Sequence, residues 1–190
     1  MSNGNELQAT IAKIVAPGKG ILAADESTPT ITRRFKAMGI ESTDESRRAY
    51  RSLLITAPGA DEYLSGVILF EETLGQAADD GTPLPQALAK RSLWTCIKVD
   101  KGTIDIPLTI VGKTGGEKVT EGLDGLAKRL AEYFKLGARF ATRRGVLTRG
   151  EDSPAHDGIP PHAQPPAAFA APRPAGPPAR PAGPDAPPDR

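Results

Sequence analysis

Hydrophobic positions recur through the first 150 residues at two periods that take turns. Leu7, Ile11, Ile14 and Val15 share one face of a 3.6-residue helix, which Pro17 and Gly18 stop. Gly20-Ile21-Leu22-Ala23-Ala24 then runs apolar and ends in Asp25-Glu26-Ser27, the pattern of a buried strand that delivers a polar loop. Ile31, Phe35 and Met38 predict a short helix closed by Gly39. Ser42 to Glu45 has the form of a capping box and opens a helix carrying Ala49, Tyr50, Leu53 and Leu54. Gly66 to Phe70 reads as a second strand, ending at Glu71 and Glu72. Pro83 to Ala89 reads as a helix start, and Trp94 to Val99 as a third strand, ending at Asp100-Lys101-Gly102. Leu123, Leu126, Leu130 and Phe134 form an apolar stripe with Gly137 past its end, and Ala138 to Leu147 is a weaker fourth strand. Strand and helix in alternation predict an α/β fold with a parallel sheet. Four such units make half of a (β/α)8 barrel or a small open sheet, and no repeat of fixed period underlies them.

The pattern stops near residue 150. Of residues 151–190, 13 are Pro and 10 Ala, and the segment holds most of the chain's 19 prolines. Ile159 and Phe169 are its only sizeable apolar side chains, too few to offset the entropy of ordering. Residues 1–150 are therefore expected to form the folded unit, and residues 151–190 a disordered Pro/Ala-rich tail with local polyproline II character.

Composition narrows the class. The net charge is +1, which gives no reason to expect a nucleic-acid or membrane-surface partner. The single cysteine, Cys96, excludes an internal disulfide and fits a reducing compartment. The polar amino terminus lacks a secretory pattern, and the apolar runs are far short of the roughly 20 residues that span a bilayer. The expectation is a soluble cytoplasmic protein. In parallel α/β folds, active sites gather at the carboxyl ends of the strands. Those ends carry Asp25, Glu71, Glu72, Lys98 with Asp100, and Arg143 with Arg144. Such a rim suits a polyanionic substrate that needs proton transfer; polar βα loops would look the same.

Other chemistries fit poorly. Gly112-Lys113-Thr114 resembles the end of a phosphate-binding loop, but the earlier glycine position holds Pro107. Both histidines, His156 and His162, lie in the tail, so neither a zinc site nor a Ser-His-Asp triad is expected. No metal and no cofactor are expected.

Four segments, in order, carry a resemblance. Ala16-Pro17-Gly18-Lys19-Gly20-Ile21-Leu22-Ala23-Ala24-Asp25-Glu26-Ser27-Thr28 resembles the first-strand signature of class I (Schiff-base) fructose-bisphosphate aldolases. Gly66-Val67-Ile68-Leu69-Phe70-Glu71-Glu72-Thr73-Leu74 is similar to their second strand and Ile97-Lys98-Val99-Asp100-Lys101-Gly102 to their third. Thr120-Glu121-Gly122-Leu123-Asp124-Gly125-Leu126 matches the helix start before the fourth. The resemblance implies the first four units of a (β/α)8 TIM barrel and a glycolytic lyase that cleaves fructose 1,6-bisphosphate to glyceraldehyde 3-phosphate and dihydroxyacetone phosphate. In that chemistry a lysine amine forms an iminium with the ketone, and the iminium accepts electrons as the C3–C4 bond breaks. By resemblance, Asp25 polarises the iminium and helps move the C4 hydroxyl proton. Lys98 is a charged neighbour of the reacting centre, and Asp100 belongs to the same charge network. Ser27, Thr30 and Arg34 fall where the family holds a phosphate end of the substrate, and Arg47 matches another arginine near phosphate. Arg34 and Arg47 also stand where solvated helix residues would.

The chain departs from the family at its fourth strand. Phe140-Ala141 should lead into Lys-Trp-Arg; the chain reads Thr142-Arg143-Arg144, so only Arg144 keeps its type. The family's acid–base glutamate on strand five and Schiff-base lysine on strand six have no counterpart in these 190 residues. A GC-rich gene read out of frame would produce the Pro/Ala-rich composition of the tail. A mis-assigned gene end, a degraded copy or a true proline-rich extension would also account for it. Two readings follow: an aldolase by descent, whether active or not, with inactivity of this chain expected, or a non-catalytic remnant or subunit that associates with full-length aldolase in this homo-oligomeric family.

Overall fold

The computed structural model describes residues 3–106 and 117–146. Helix α1 (Asn3–Ile14) leads into strand β1 (Gly20–Ala24), helices α2 (Thr28–Ala37) and α3 (Asp44–Thr56), the single turn α4 (Ala60–Tyr63) and strand β2 (Leu64–Leu69). The turn α5 (Glu71–Leu74), helix α6 (Leu84–Lys90) and strand β3 (Trp94–Lys98) follow. A small hairpin, β4 (Thr103–Asp105) and β5 (Lys118–Thr120), precedes helix α7 (Leu126–Lys135) and strand β6 (Ala138–Thr142). Strands β1, β2, β3 and β6 form one parallel sheet in that spatial order, while β4 and β5 pair antiparallel.

Alternation along each strand divides the sheet into two faces. Ala24, Val67, Leu69 and Ile97 lie on the face covered by helices and are essentially inaccessible. They pack with Ile55, Leu74, Leu84, Leu88 and Leu126 in one core. Burying each such aliphatic side chain favours folding by roughly 1.5–3 kcal/mol. Register places Ala23 beside Ile68, Ile68 beside Cys96, Cys96 beside Phe140 and Lys98 beside Thr142 on the opposite face. Of these, Cys96 is fully buried and Ala23 exposed.

Several boundaries differ from the sequence expectation. The capping box of α3 sits one residue later, between Thr43 and Ser46: the Ser46 amide donates to Thr43 Oγ1 at 3.1 Å and the Thr43 amide to Ser46 Oγ at 2.9 Å. The second strand begins at Leu64, and Glu71 and Glu72 open α5 rather than closing the strand. The fourth strand ends at Thr142: residues 143–146 of its expected extension are not strand, and Leu147 lies outside the described residues. Helix α7 buries Leu126 and Tyr133, and leaves Phe134 exposed, because the helix phase turns position 134 away from the sheet. Helix α1 buries Thr10, while Leu7, Ile11 and Val15 stay exposed. The hairpin was not expected; each of its strands is three residues long and too short to show a period. Gly112-Lys113-Thr114 and the 151–190 tail lie outside the described residues. Among the described residues no helix is long and apolar enough to cross a membrane.

Leu69→Ala is expected to destabilise the fold by about 2–5 kcal/mol, because it opens a cavity between sheet and helices. Leu53→Ala, at an exposed position of α3, should stay within about 0.5 kcal/mol. Urea unfolding followed by circular dichroism measures both.

Candidate active site

Lys98 is the last residue of β3, and its ammonium is held there. Nζ donates to Asp100 Oδ1 at 2.5 Å and reaches the Asp100 carbonyl at 3.4 Å. The Asp100 side chain is 2% exposed, so the pair sits largely out of water, where opposite charges attract strongly. The loop after Lys98 is pinned from α7: Arg129 donates to the carbonyls of Val99 at 3.2 Å and Gly122 at 2.5 Å. Gly122 has φ +109, and a Cβ there would lie 2.8 Å from the Val99 carbonyl oxygen and 2.9 Å from the Lys101 nitrogen. Only glycine fits that crossing.

Thr142 stands beside Lys98 on the neighbouring strand, and Cys96 lies two residues before Lys98 on the same face. Burial pushes the Cys96 thiol up to about 12; a hydrogen bond with Thr142 works against this, and the negative charge of Asp25 adds to it. Register sets Cys96 and Thr142 near Lys98 on one face, and Asp25 follows β1 at the same carboxyl end of the parallel sheet. Asp25 follows β1 directly, is half-buried, and has no hydrogen-bond partner among the described residues.

The segment after Asp25 turns into α2. Ser27 is its N-cap, with Pro29 in the first turn and no side-chain cap. Ser27 Oγ and Thr30 Oγ1 lie 3.2 Å apart, close to the helix amino end, where backbone N–H groups and the helix dipole favour an anion. Arg34 is 59% exposed at its side chain and pairs through Nη1 with Glu26 Oε1. Glu26 also takes Arg51 Nη1 at 2.6 Å on Oε2, while Arg51 Nη2 donates to its carbonyl at 2.9 Å. The Arg51 side chain is 4% exposed and that of Glu26 9%. Glu26 therefore anchors two arginines, one buried and one facing solvent. Sequence reasoning singled out neither Glu26 nor Arg51; the only signal was an acidic residue directly after Asp25.

The remaining candidates stand elsewhere. Arg47 is buried, with Nε and Nη2 on the Glu72 carboxylate at 2.7–3.1 Å and Nη2 also on Asp44. Its guanidinium ties α3 to α5. Arg144 is exposed, and Arg143 donates to the Thr120 carbonyl. Glu71 accepts Lys101 Nζ and the Tyr133 hydroxyl, each at 2.7 Å. The Lys101 hydrogen bond, ahead of that from Tyr133, holds the Glu71 carboxyl below its usual range; burial, then the bond to Glu71, raises the Tyr133 phenol. No group of three or more His, Cys, Asp or Glu side chains suited to a metal occurs among the described residues.

Comparison with known proteins gives a consistent result. The family model described as "Fructose-bisphosphate aldolase class-I" matches residues 6–172. A probable fructose-bisphosphate aldolase class 1 of Xanthomonas campestris pv. campestris is 49% identical over 166 residues, covering 87% of this chain and 48% of that one. The cytoplasmic isozyme of spinach is 51% identical over 150 residues, covering 79% of this chain and 41% of the isozyme. A crystallised aldolase of Plasmodium falciparum, solved in complex with TRAP and a small-molecule inhibitor, superposes with a TM-score of 0.75 at 47% identity, over 82% of this chain and 44% of that one. The chain spans about half the length of the curated relatives it matches.

Two outcomes follow from the site geometry. Glu26→Ala should cost about 3–5 kcal/mol in urea unfolding, because it strands the buried Arg51 guanidinium; Glu26→Gln, whose one side-chain oxygen can still accept from Arg51, should cost less. Cys96 should resist Ellman's reagent at about pH 8 in the native protein and react once guanidinium unfolds it, since a buried thiol with a raised pKa offers almost no thiolate.

Proposed function

Because the chain belongs to the class-I fructose-bisphosphate aldolases, we propose that its described sheet and helices are the first four β/α units of a (β/α)8 barrel. The family chemistry is reversible cleavage of fructose 1,6-bisphosphate through a lysine Schiff base, in a cytoplasmic glycolytic enzyme. We infer that the 190 residues by themselves retain the end of the site that meets one phosphate and the reacting centre, without the groups that form the iminium. Ser27, Thr30 and Arg34 would take the phosphate, Asp25 would move the hydroxyl proton, and Lys98 with Asp100 would supply the charged surround.

The observation that carries this reading is the register of β3 against β6. It sets Thr142 beside Lys98, where the family resemblance implies a second lysine. Threonine is short and uncharged, so one ammonium of the expected pair is missing. The nucleophilic amine, expected on a sixth strand, has no counterpart in these residues. An ordinary lysine has a pKa near 10.4, so only about one in a thousand is a free amine at neutral pH. Groups that act as a unit in covalent catalysis lose about 10⁴-fold or more when one is removed.

The test is incubation of the purified chain with fructose 1,6-bisphosphate and borohydride, with mass spectrometry to locate any reduced adduct. The expected result is no stoichiometric adduct and turnover at the level of buffer, for this chain and equally for Thr142→Lys. A single stoichiometric adduct on one lysine, with turnover well above buffer, would falsify the proposal.

A further inference from the structure

At the amino ends of the strands, away from Lys98, the fold forms a pocket of about 400 Å³ open to solvent on one side. Lys13 at the end of α1, Trp94 at the start of β3, Lys135 and Leu136 at the end of α7, and Arg139 in β6 line it, with Leu93 in its apolar wall. Three lining residues are cations and none is a carboxylate. Lys13 Nζ lies 5.3 Å from the Trp94 ring centre. The Arg139 guanidinium lies 4.5 Å from the Phe134 ring centre and donates through Nη1 to the carbonyls of Phe134 at 3.2 Å and Ala138 at 3.0 Å. Neither Lys13 nor Arg139 is paired with a carboxylate among the described residues. Lys135 has Glu132 at 3.2 Å, an exposed pair that water screens. Trp94 Nε1 is buried and meets no acceptor among the described residues. A buried indole N–H ordinarily finds a partner.

We propose that this pocket binds a small organic anion: a carboxylate or phosphate ester on a flat apolar body. The volume falls in the range of small-molecule sites, which pair apolar walls with a few placed polar groups. The anionic end accepts from Lys13 and Arg139, and the apolar body lies against Leu93, Leu136 and the Trp94 ring. The site is distinct from the rim that carries Asp25 and Lys98 and does not depend on the aldolase reading.

Trp94 is the chain's only tryptophan, so its fluorescence reports on the pocket directly. Phenyl phosphate is the probe, with inorganic phosphate and benzyl alcohol as its separate halves. Phenyl phosphate should give a saturable change at about tenfold lower concentration than either half, and the affinity should fall with salt. Lys13→Gln and Arg139→Gln should each weaken it about tenfold, whereas Lys118→Gln, which removes an equal charge from the exposed hairpin, should not. Excess fructose 1,6-bisphosphate should leave the signal in place. Circular dichroism checks each variant; if Arg139→Gln fails to fold, Lys13→Gln at its exposed position decides. The proposal is overturned if phenyl phosphate gives no saturable change, if benzyl alcohol binds as tightly, if Lys118→Gln weakens binding equally, or if fructose 1,6-bisphosphate displaces the probe.

Discussion

Alternation in a parallel sheet is the constraint on which the rest of this molecule depends. Each strand must turn every second side chain toward the helices, and Val67, Leu69 and Ile97 do so with essentially no exposure. What remains points the other way. Cys96, Lys98 and Thr142 share the second face because the first is already committed to the core. The chemistry-bearing residues are thus placed by packing they take no part in. A register slip of one residue would exchange the two sets and bury Lys98 in the helix layer.

A few ion pairs convert that placement into a fixed site, and their burial decides which of them matter. Arg51 with Glu26 is nearly dry, so losing either partner leaves an uncompensated charge inside the protein. Arg34 with Glu26 is mostly in water, contributes about 0–1 kcal/mol, and lets go readily. One carboxylate therefore holds a buried arginine that fixes the loop after β1 and a second one whose side chain faces solvent. Lys98 with Asp100 follows the first pattern and keeps an ammonium at a strand end.

Much of the sheet is legible in the sequence, because a strand covered by helices reads as an unbroken apolar run, as in Gly66 to Leu69. Motif order placed Asp25, Lys98 and Asp100 at strand ends, where the structure has them. Other features carry no local signal. Arg47 looks like a surface helix residue until Glu72, 25 positions later, is seen to take its guanidinium. Glu26 matters through α2 and α3, whose arginines converge on its carboxylate. The hairpin β4–β5 is held by pairing between segments, with the Ile106 amide bonded to the Glu117 carbonyl at 2.7 Å. The apolar stripe of α1 forms the expected helix, yet Leu7, Ile11 and Val15 stay exposed, since burial also needs a neighbour. In α7, Phe134 and Tyr133 are adjacent, and only the helix phase set by Gly125 and Leu126 selects the tyrosine.

Among the described residues β1 is paired on one side only, by β2, and β6 only by β3. Both free edges belong to strands that run in the same direction, so they differ from each other and match across molecules. Contact between the β6 edge of one chain and the β1 edge of the next is heterologous: it joins unlike surfaces and repeats with each added copy. The sheet's curvature then governs the product. If the strands turn far enough to close on themselves, growth stops at a ring; if they do not, the same hydrogen bonds extend without limit. Edge polarity gives the sheet a direction: a strand laid beside β6 and one laid beside β1 meet different backbone groups.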